Sequence, residues 1–140
     1  TVYNRTASKA QAWVEKFGGK AAATPREAAE DADVVFTCVG NDSDLRSVLL
    51  GENGAFAGMK KDAVLWDATT DSAEVAKEMA AEAESRGLHF VDAPVSGGQD
   101  GAVSGSLTVM CGGDAEIIER VKPIADAFAC SIRNAVILPQ

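Results

Sequence analysis

The stretch VSGG at positions 95–98 places one hydroxyl beside two residues that lack side chains. Glycine lets a ligand approach the backbone closely, and the Ser96 hydroxyl with the N–H groups of Gly97 and Gly98 offers a cradle for a carboxylate. A pair of glycines is also the usual means of making a turn with positive φ. The pattern therefore indicates either an anion-binding loop or a structural turn.

Asp67, Asp92 and His89 are further titratable side chains near predicted strands. Each aspartate stands close to the end of a strand, where it could act as a base or cap the next turn. No second carboxylate stands at a telling spacing, so neither aspartate is assigned chemistry. His89, the only histidine, lies near the start of a strand, and we predict a structural role for it.

Strands and helices alternate along the chain. The predicted strands are the end of one at 1–4, then 33–40, 63–70, 88–95, 106–113 and a candidate last strand at 135–139; the predicted helices are 6–17, one that starts at Thr24, 71–86 and 114–129, with Pro123 as a candidate kink. The runs 33–40 and 63–70 have too few polar residues for half-exposed strands, so both should be buried on two faces. The alternation predicts an α/β domain with a mainly parallel sheet.

Polar residues mark the starts of three of these helices. Thr6 can cap the first. Thr24 and Glu27 have the spacing of a capping box, and Asp71 and Glu74 have the same spacing before the alanine-rich helix. These signals support the predicted helix boundaries.

Composition restricts the class of protein. The 140 residues are 46% hydrophobic and carry a net charge of −8, which predicts a globular domain that binds neither nucleic acid nor an anionic membrane. No apolar run approaches a membrane span and the N-terminus lacks a signal-peptide pattern, so we expect a cytoplasmic protein. Cys38, Cys111 and Cys130 are far apart among apolar neighbours, which predicts reduced core residues and no metal cluster.

Ligands of open parallel sheets gather at the carboxyl ends of the strands, where loops and helix N-termini present free N–H groups. Polar residues and glycines follow the predicted strands at 4–6, 40–42, 67–70 and 96–98. Arg5 places a planar cation where a dinucleotide-binding domain otherwise has an acid for the ribose hydroxyls. This favours a 2′-phosphate, and therefore NADP, with NAD possible. The alternative is a solvated arginine at a strand end.

Four stretches together match a known enzyme family. They are YNRT at 3–6, VVFTCVGNDSDLRSV at 34–48, DATT at 67–70 and FVDAPVSGGQDGAVSGSLTVMCGG at 90–113. With them the chain resembles the β-hydroxyacid dehydrogenases, which include 3-hydroxyisobutyrate dehydrogenase and tartronate semialdehyde reductase. The resemblance extends over about residues 1–129, and its DAPVSGG block is far more specific than a lone glycine motif.

The resemblance implies a fold and a set of site residues. The expected fold is Rossmann-like and doubly wound, with helices on both faces of the sheet, and residues 1–140 would form a single, partial NAD(P)-binding domain. Such enzymes move a hydride between a nicotinamide ring and the hydroxyl-bearing carbon of a small β-hydroxyacid. The implied substrate-binding residues are Ser96, Gly97 and Gly98, and the implied cofactor-binding residues are Asn4, Arg5, Thr6, Val39, Gly40 and Thr70.

The sequence departs from the family at both ends. No G-x-G-x-x-G turn is present, and none of the seven lysines is followed four residues later by the asparagine of the family's catalytic helix. The resemblance thus implies a chain truncated at both ends, without its catalytic lysine and inactive by itself. In the strand order 3-2-1-4-5-6 the missing strand is central. Either its two neighbours pair directly, or another chain covers them.

Two functions follow from these observations. The first is the cofactor-domain portion of an NAD(P)-dependent oxidoreductase that acts on a small β-hydroxyacid, with a homo-oligomer or a completing chain as possible partners. The second is a non-catalytic ligand-binding or oligomerisation module of dehydrogenase descent. A third hypothesis is a nucleotide-binding protein unrelated to this family. It would mean that the DAPVSGG block matches the family by coincidence.

Overall fold

The computed structural model describes residues 1–134, so the predicted strand at 135–139 lies outside the described residues. The helices are α1 (Ala7–Phe17), α2 (Pro25–Ala29), α3 (Asp42–Leu49), α4 (Ala55–Gly58), α5 (Ala73–Ser85), α6 (Gly98–Ser104) and α7 (Ala115–Ala125). The strands are β1 (Val34–Thr37), β2 (Val64–Asp67), β3 (His89–Asp92), β4 (Val95–Ser96), β5 (Leu107–Cys111) and β6 (Ala129–Asn134). The α/β class is therefore confirmed.

The strands form two three-stranded sheets. In the first, β1, β2 and β3 are parallel and in order, with Val64 of β2 opposite Val34 and His89. In the second, β5 pairs with β4 antiparallel and with β6 parallel. Asp92 joins the two sheets through N–H···O=C bonds of 2.9 and 2.7 Å exchanged with Gly112. The prediction of a mainly parallel arrangement is confirmed.

Helices cover both faces of β2, whose four residues are all buried. Leu65 packs in one apolar cluster with α5 residues such as Met79, while Val64 and Trp66 face a second cluster that includes Val121 of α7. Alternate strand residues point to opposite faces, so one strand serves both clusters. The prediction of two-sided burial is confirmed for residues 63–67, whereas Thr70, the last residue of the predicted strand, is exposed.

For β1 the same prediction is wrong. Phe36 leaves 43% of its surface exposed, although its ring lies 6.2 Å from that of Trp66 and 5.8 Å from that of Phe128, centroid to centroid. β1 pairs with β2 on one side, and its other side borders a cleft. An apolar run therefore forms a strand here without burying both of its faces.

The predicted strand end at 1–4 forms only an isolated parallel bridge between Val2 and Ala21. The Val2 N–H donates to the Lys20 carbonyl over 2.8 Å, and the Ala22 N–H donates to the Val2 carbonyl over 2.8 Å. An apolar cleft of about 630 Å³ lies between residues 1–3 and β1. Within residues 1–134 these two edges do not pair with each other, so direct pairing, the first of the two alternatives, is wrong.

The helix starts follow local hydrogen bonding. The capping box at α2 is present, since the Thr24 hydroxyl accepts from the Glu27 N–H over 3.1 Å and the Glu27 carboxylate accepts from the Ala23 N–H over 3.0 Å. At α5 the cap is Ser72, one residue after the predicted Asp71, and its hydroxyl accepts from the Val75 N–H.

Thr6 precedes α1 as predicted, but its side chain makes no capping bond. The Thr6 N–H instead donates to the Asn4 side-chain oxygen over 2.8 Å. The short turn before α1 is therefore closed by Asn4.

None of the helices between residues 1 and 134 has the length and apolar character that crossing a membrane requires.

Truncating Met79 tests the first apolar cluster. Met79 is fully buried, so Met79→Ala should lower the free energy of unfolding by about 2 to 5 kcal/mol through lost apolar contact and a residual cavity. The matched control is Met110→Ala, since Met110 is 44% exposed on β5. Urea unfolding followed by circular dichroism measures both. Equal losses in the two variants would contradict the assigned core.

Candidate functional site

A polar pocket of about 510 Å³ opens at the carboxyl ends of β1 and of the bridge at Val2. We call it the polar pocket. Its wall includes the predicted residues Asn4, Arg5, Thr6, Val39 and Gly40, along with Lys9 and Asp44. The structure thus brings five of the six predicted cofactor-binding residues to one site.

The turn at 4–6 projects Arg5 outward. Because Asn4 closes the turn on the Thr6 N–H, the intervening residue faces solvent, and 82% of the Arg5 side chain is exposed. The Arg5 guanidinium donates to Asp44 Oδ1 over 3.1 Å. The wall therefore carries two cations, Arg5 and Lys9, against one carboxylate, and it suits an anionic ligand.

Val39 and Thr70, both predicted to lie along the cofactor, differ in their position relative to the polar pocket. The Val39 N–H donates to the Thr69 hydroxyl over 3.1 Å, so this backbone donor has an internal partner. Thr70 is exposed and is not part of the pocket wall. The predicted roles of both residues along the cofactor stay predictions.

Asp67, at the end of β2, is fully buried and organises the strand ends around it. Its Oδ1 accepts three hydrogen bonds, from the Thr37 hydroxyl at 2.7 Å, the Thr69 hydroxyl at 2.6 Å and the Thr69 N–H at 3.1 Å. Its Oδ2 is buried without a hydrogen-bond partner among the described residues. The capping alternative for Asp67 therefore has a direct structural basis.

Three carboxyl groups meet at this edge of the first sheet. Asp67 and Asp92 are opposite each other in the register of β2 and β3, and Asp71 follows on the loop after β2. Burial, and next the charge of Asp67, raise the pKa of Asp92 to about 6, and the same two causes head those that raise the pKa of Asp71 to about 6. Asp71 and Asp92 therefore hold their protons to higher pH than an exposed aspartate does. No group of residues in the described part of the chain could hold a metal ion.

The predicted carboxylate cradle lies outside the polar pocket. Ser96 is in β4, opposite Thr108, and Gly97 precedes α6. Gly97 and Gly98 have φ angles of 133° and 63°, so the turn requires glycine at both positions. All three residues of the cradle are exposed, and a Cβ on Gly98 would meet no atom within 4 Å. The structural turn is present, and its backbone is open to a ligand.

His89 begins β3, at the edge of the sheet opposite the pocket, with its Nε2 3.8 Å from Asp62 Oδ1.

The prediction for the three cysteines is confirmed only in part. All three are free thiols, but only Cys111 is buried, while Cys38 and Cys130 are exposed. Cys38 follows the last residue of the edge strand β1, which explains its exposure. The prediction that all three are core residues is wrong.

Two of the three charged residues in the wall of the polar pocket were not predicted from the sequence. Lys9 is on α1, and Asp44 is in the first turn of α3, a helix not predicted from the sequence. The signal for α3 was available, because Asn41 is a favourable N-cap and its side chain accepts from the Asp44 N–H over 2.9 Å. Recognising that cap would have placed Asp44 beside Gly40.

Comparison with known proteins identifies the relatives of this chain. A family model described as the NAD binding domain of 6-phosphogluconate dehydrogenase matches residues 1–136. An uncharacterised oxidoreductase of Shewanella frigidimarina is 57% identical over 129 residues, which are 92% of this chain and 44% of that protein. The Arabidopsis thaliana protein named 3-hydroxyisobutyrate dehydrogenase-like 2, mitochondrial, is 47% identical over 124 residues, 89% of this chain and 41% of that protein.

A solved structure is similar to this chain in both fold and sequence. The 3-hydroxyisobutyrate dehydrogenase of Mycobacterium tuberculosis, determined with L-serine, has a TM-score of 0.85 at 30% identity, over 93% of this chain and 43% of that one. The resemblance to β-hydroxyacid dehydrogenases is confirmed, as is the Rossmann-like fold. The chain spans less than half the length of these relatives.

The carboxyl cluster predicts a pH-dependent stability. A folded-state pKa near 6 in place of 3.8 means that Asp92 binds more protons in the native than in the unfolded state between these values. The free energy of unfolding should then fall as pH rises from about 4 to above 6. In Asp92→Asn this decline should be smaller, with a remainder due to Asp71. Thermal unfolding at about pH 5 and about pH 7.5 measures it.

Asp100→Asn is the control for this experiment, because it removes an exposed carboxylate on α6. It should leave the pH dependence of the wild-type chain unchanged. An equal decline in wild type and Asp92→Asn would mean that Asp92 does not titrate as its burial requires.

Proposed function

The chain belongs to the family of the NAD-binding domain of 6-phosphogluconate dehydrogenase, and from this premise we propose that it is a partial NAD(P)-binding domain of an oxidoreductase. The reaction would be that of a 3-hydroxyisobutyrate dehydrogenase, with a small β-hydroxyacid as substrate. When bound, the nicotinamide would supply the hydride chemistry. The residues of this chain would bind and orient the reactants.

The polar pocket is the observation that carries the proposal. It joins the turn at 4–6 to the loop at 39–40, as a site for the adenosine end of a dinucleotide would require. The exposed Arg5 guanidinium can donate two parallel hydrogen bonds to a phosphate, and Lys9 adds a second positive charge to the wall. We therefore propose NADP, bound through its 2′-phosphate, as the favoured cofactor.

Ser96, Gly97 and Gly98 would bind the substrate carboxylate. Two features support this proposal: the cradle is exposed, and its two glycines hold the backbone in a conformation that other residues rarely adopt. The hydroxyl and neighbouring N–H groups would compensate the negative charge, and the backbone would fix the orientation of the substrate.

One edge of β1 pairs with no other strand among residues 1–134, and this edge supports a partner. A strand edge exposes unpaired N–H and C=O groups, and here the exposed ring of Phe36 and the apolar cleft accompany it. We propose that a completing chain or a further copy of this protein covers this edge. The alternative of a non-catalytic binding module and the cytoplasmic location both stay predictions from the sequence.

Replacing Arg5 tests the cofactor proposal. Arg5→Ala should weaken NADPH binding by about tenfold or more, the value of a charge-assisted hydrogen bond, and NADH binding much less. Fluorescence titration of the chain measures both affinities, after circular dichroism has established that the variant folds. Arg86→Ala removes an arginine on the far side of the chain, paired with Glu82, and should change neither affinity. Equal losses for the two nucleotides would remove the 2′-phosphate role from Arg5.

Replacing Ser96 tests the substrate site. Ser96→Ala should reduce the affinity for 3-hydroxyisobutyrate, measured by NMR titration of the chain with NADP present, by about fivefold for one lost hydrogen bond. The control is Ser85→Ala, since Ser85 ends α5 and its hydroxyl donates only to the Glu82 carbonyl among the described residues. Unchanged affinity in Ser96→Ala would exclude its hydroxyl from carboxylate binding.

A further inference from the structure

The ion pair between Arg5 and Asp44 lies in the wall of the polar pocket and joins two of the stretches quoted above, YNRT at 3–6 and VVFTCVGNDSDLRSV at 34–48. Arg5 Nη1 is 3.1 Å from Asp44 Oδ1. The two partners differ in freedom, because the Arg5 side chain is 82% exposed and the Asp44 side chain only 27%. The carboxylate thus belongs to the wall, and the guanidinium is a solvent-exposed arm that reaches it.

Asp44 is held in place by its neighbours. Its Oδ2 accepts from the Asn41 side-chain amide over 3.1 Å, and its N–H donates to the Asn41 side-chain oxygen over 2.9 Å. Gly40 lies against the same carboxylate, since a Cβ at position 40 would stand 3.1 Å from Asp44 Oδ2. These contacts fix the negative charge at the mouth of the pocket, whether or not Arg5 stays paired with it.

A phosphate bound by Arg5 would therefore meet a fixed carboxylate. The phosphate must take donors that Asp44 now uses, and the two anions would repel each other across a few ångströms. A ligand without the phosphate leaves the ion pair intact and avoids this repulsion. Because the pair is largely exposed, its own strength is modest, so a phosphate can displace it at moderate cost.

We propose that Asp44 is a residue that determines cofactor specificity by opposing the attraction of Arg5 for a 2′-phosphate. This inference rests on the proposed function, because it concerns the same pocket. With Asp44 present, the wall charges of Arg5 and Lys9 are partly cancelled, and the preference for a 2′-phosphorylated nucleotide is smaller than these two cations alone would give. Without it, the same wall carries two uncompensated cations.

The test compares two nucleotides that differ by one phosphate, 2′,5′-ADP and 5′-AMP. In Asp44→Asn, which keeps the side-chain shape and removes the charge, the affinity for 2′,5′-ADP should rise about fivefold, whereas that for 5′-AMP should change less than about twofold. NMR titration of the 140-residue chain, with both ligands taken to millimolar concentration, measures these affinities and locates the shifted signals.

Glu52→Gln is the matched control, since Glu52 is exposed, lies next to wall residue Asn53 and is not part of the wall. It removes one negative charge and should leave the ratio of the two affinities unchanged. Circular dichroism establishes folding, and Asp44→Ser replaces Asp44→Asn if the latter unfolds.

A double variant assigns the effect to Arg5. If Asp44 acts through Arg5, Asp44→Asn should raise the 2′,5′-ADP affinity much less in an Arg5→Ala background. An equal gain for both nucleotides, an equal gain in Glu52→Gln, or a full gain without Arg5 would overturn this inference alone. The absence of binding at the pocket by every variant would overturn both this inference and the cofactor proposal.

Discussion

β2 is buried along its whole length, and the arrangement of the other described elements follows from this burial. Helices α3, α4 and α5 contribute to the cluster on one side of β2, while β5 and α7 contribute to the cluster on the other. The strand ends in Asp67, a carboxylate inside the protein. Burying such a group is costly, and the three hydrogen bonds from Thr37 and Thr69 compensate that cost. The bond from Thr37 ties the ends of β1 and β2 together. The Thr69 hydroxyl also accepts from the Val39 N–H, which holds the loop at Val39 against Thr69.

Charges of opposite sign are concentrated at separate places along the carboxyl ends of the strands. The polar pocket carries Arg5 and Lys9, whereas Asp67, Asp71 and Asp92 gather at the ends of β2 and β3. The first place suits an anion. At the second, Asp71 and Asp92 retain protons at a pH where exposed aspartates are ionised, because burial and the charge of Asp67 both raise their pKa.

The wall of the polar pocket and the group of aspartates differ in conformational freedom as well as in charge. Arg5 stands on a short turn and is mostly exposed, so ordering it around a ligand costs conformational entropy. Asp67 and Asp92 are held by strand register, and Asp92 also by its bridge to Gly112. The carboxyl ends of the strands therefore combine fixed carboxyl groups with a cation that can change its position.

The sequence by itself determined the alternation of helices and strands and the family, and it named five residues that the structure places around the polar pocket. Apolar runs such as 63–70, the capping box at Thr24 and the DAPVSGG block are local patterns. Such patterns can be recognised without knowing which distant residues pack beside them in the fold. Only the tertiary structure decided that Phe36 and Cys38 are exposed, that Val2 forms a single bridge and that Thr70 stays outside the polar pocket. Each of these depends on which segment lies beside the residue, and residues distant in sequence supply that segment. The pairing of Arg5 with Asp44 is the clearest case: it joins residues 39 positions apart, and no spacing rule connects a turn with the first turn of a helix so far along the chain.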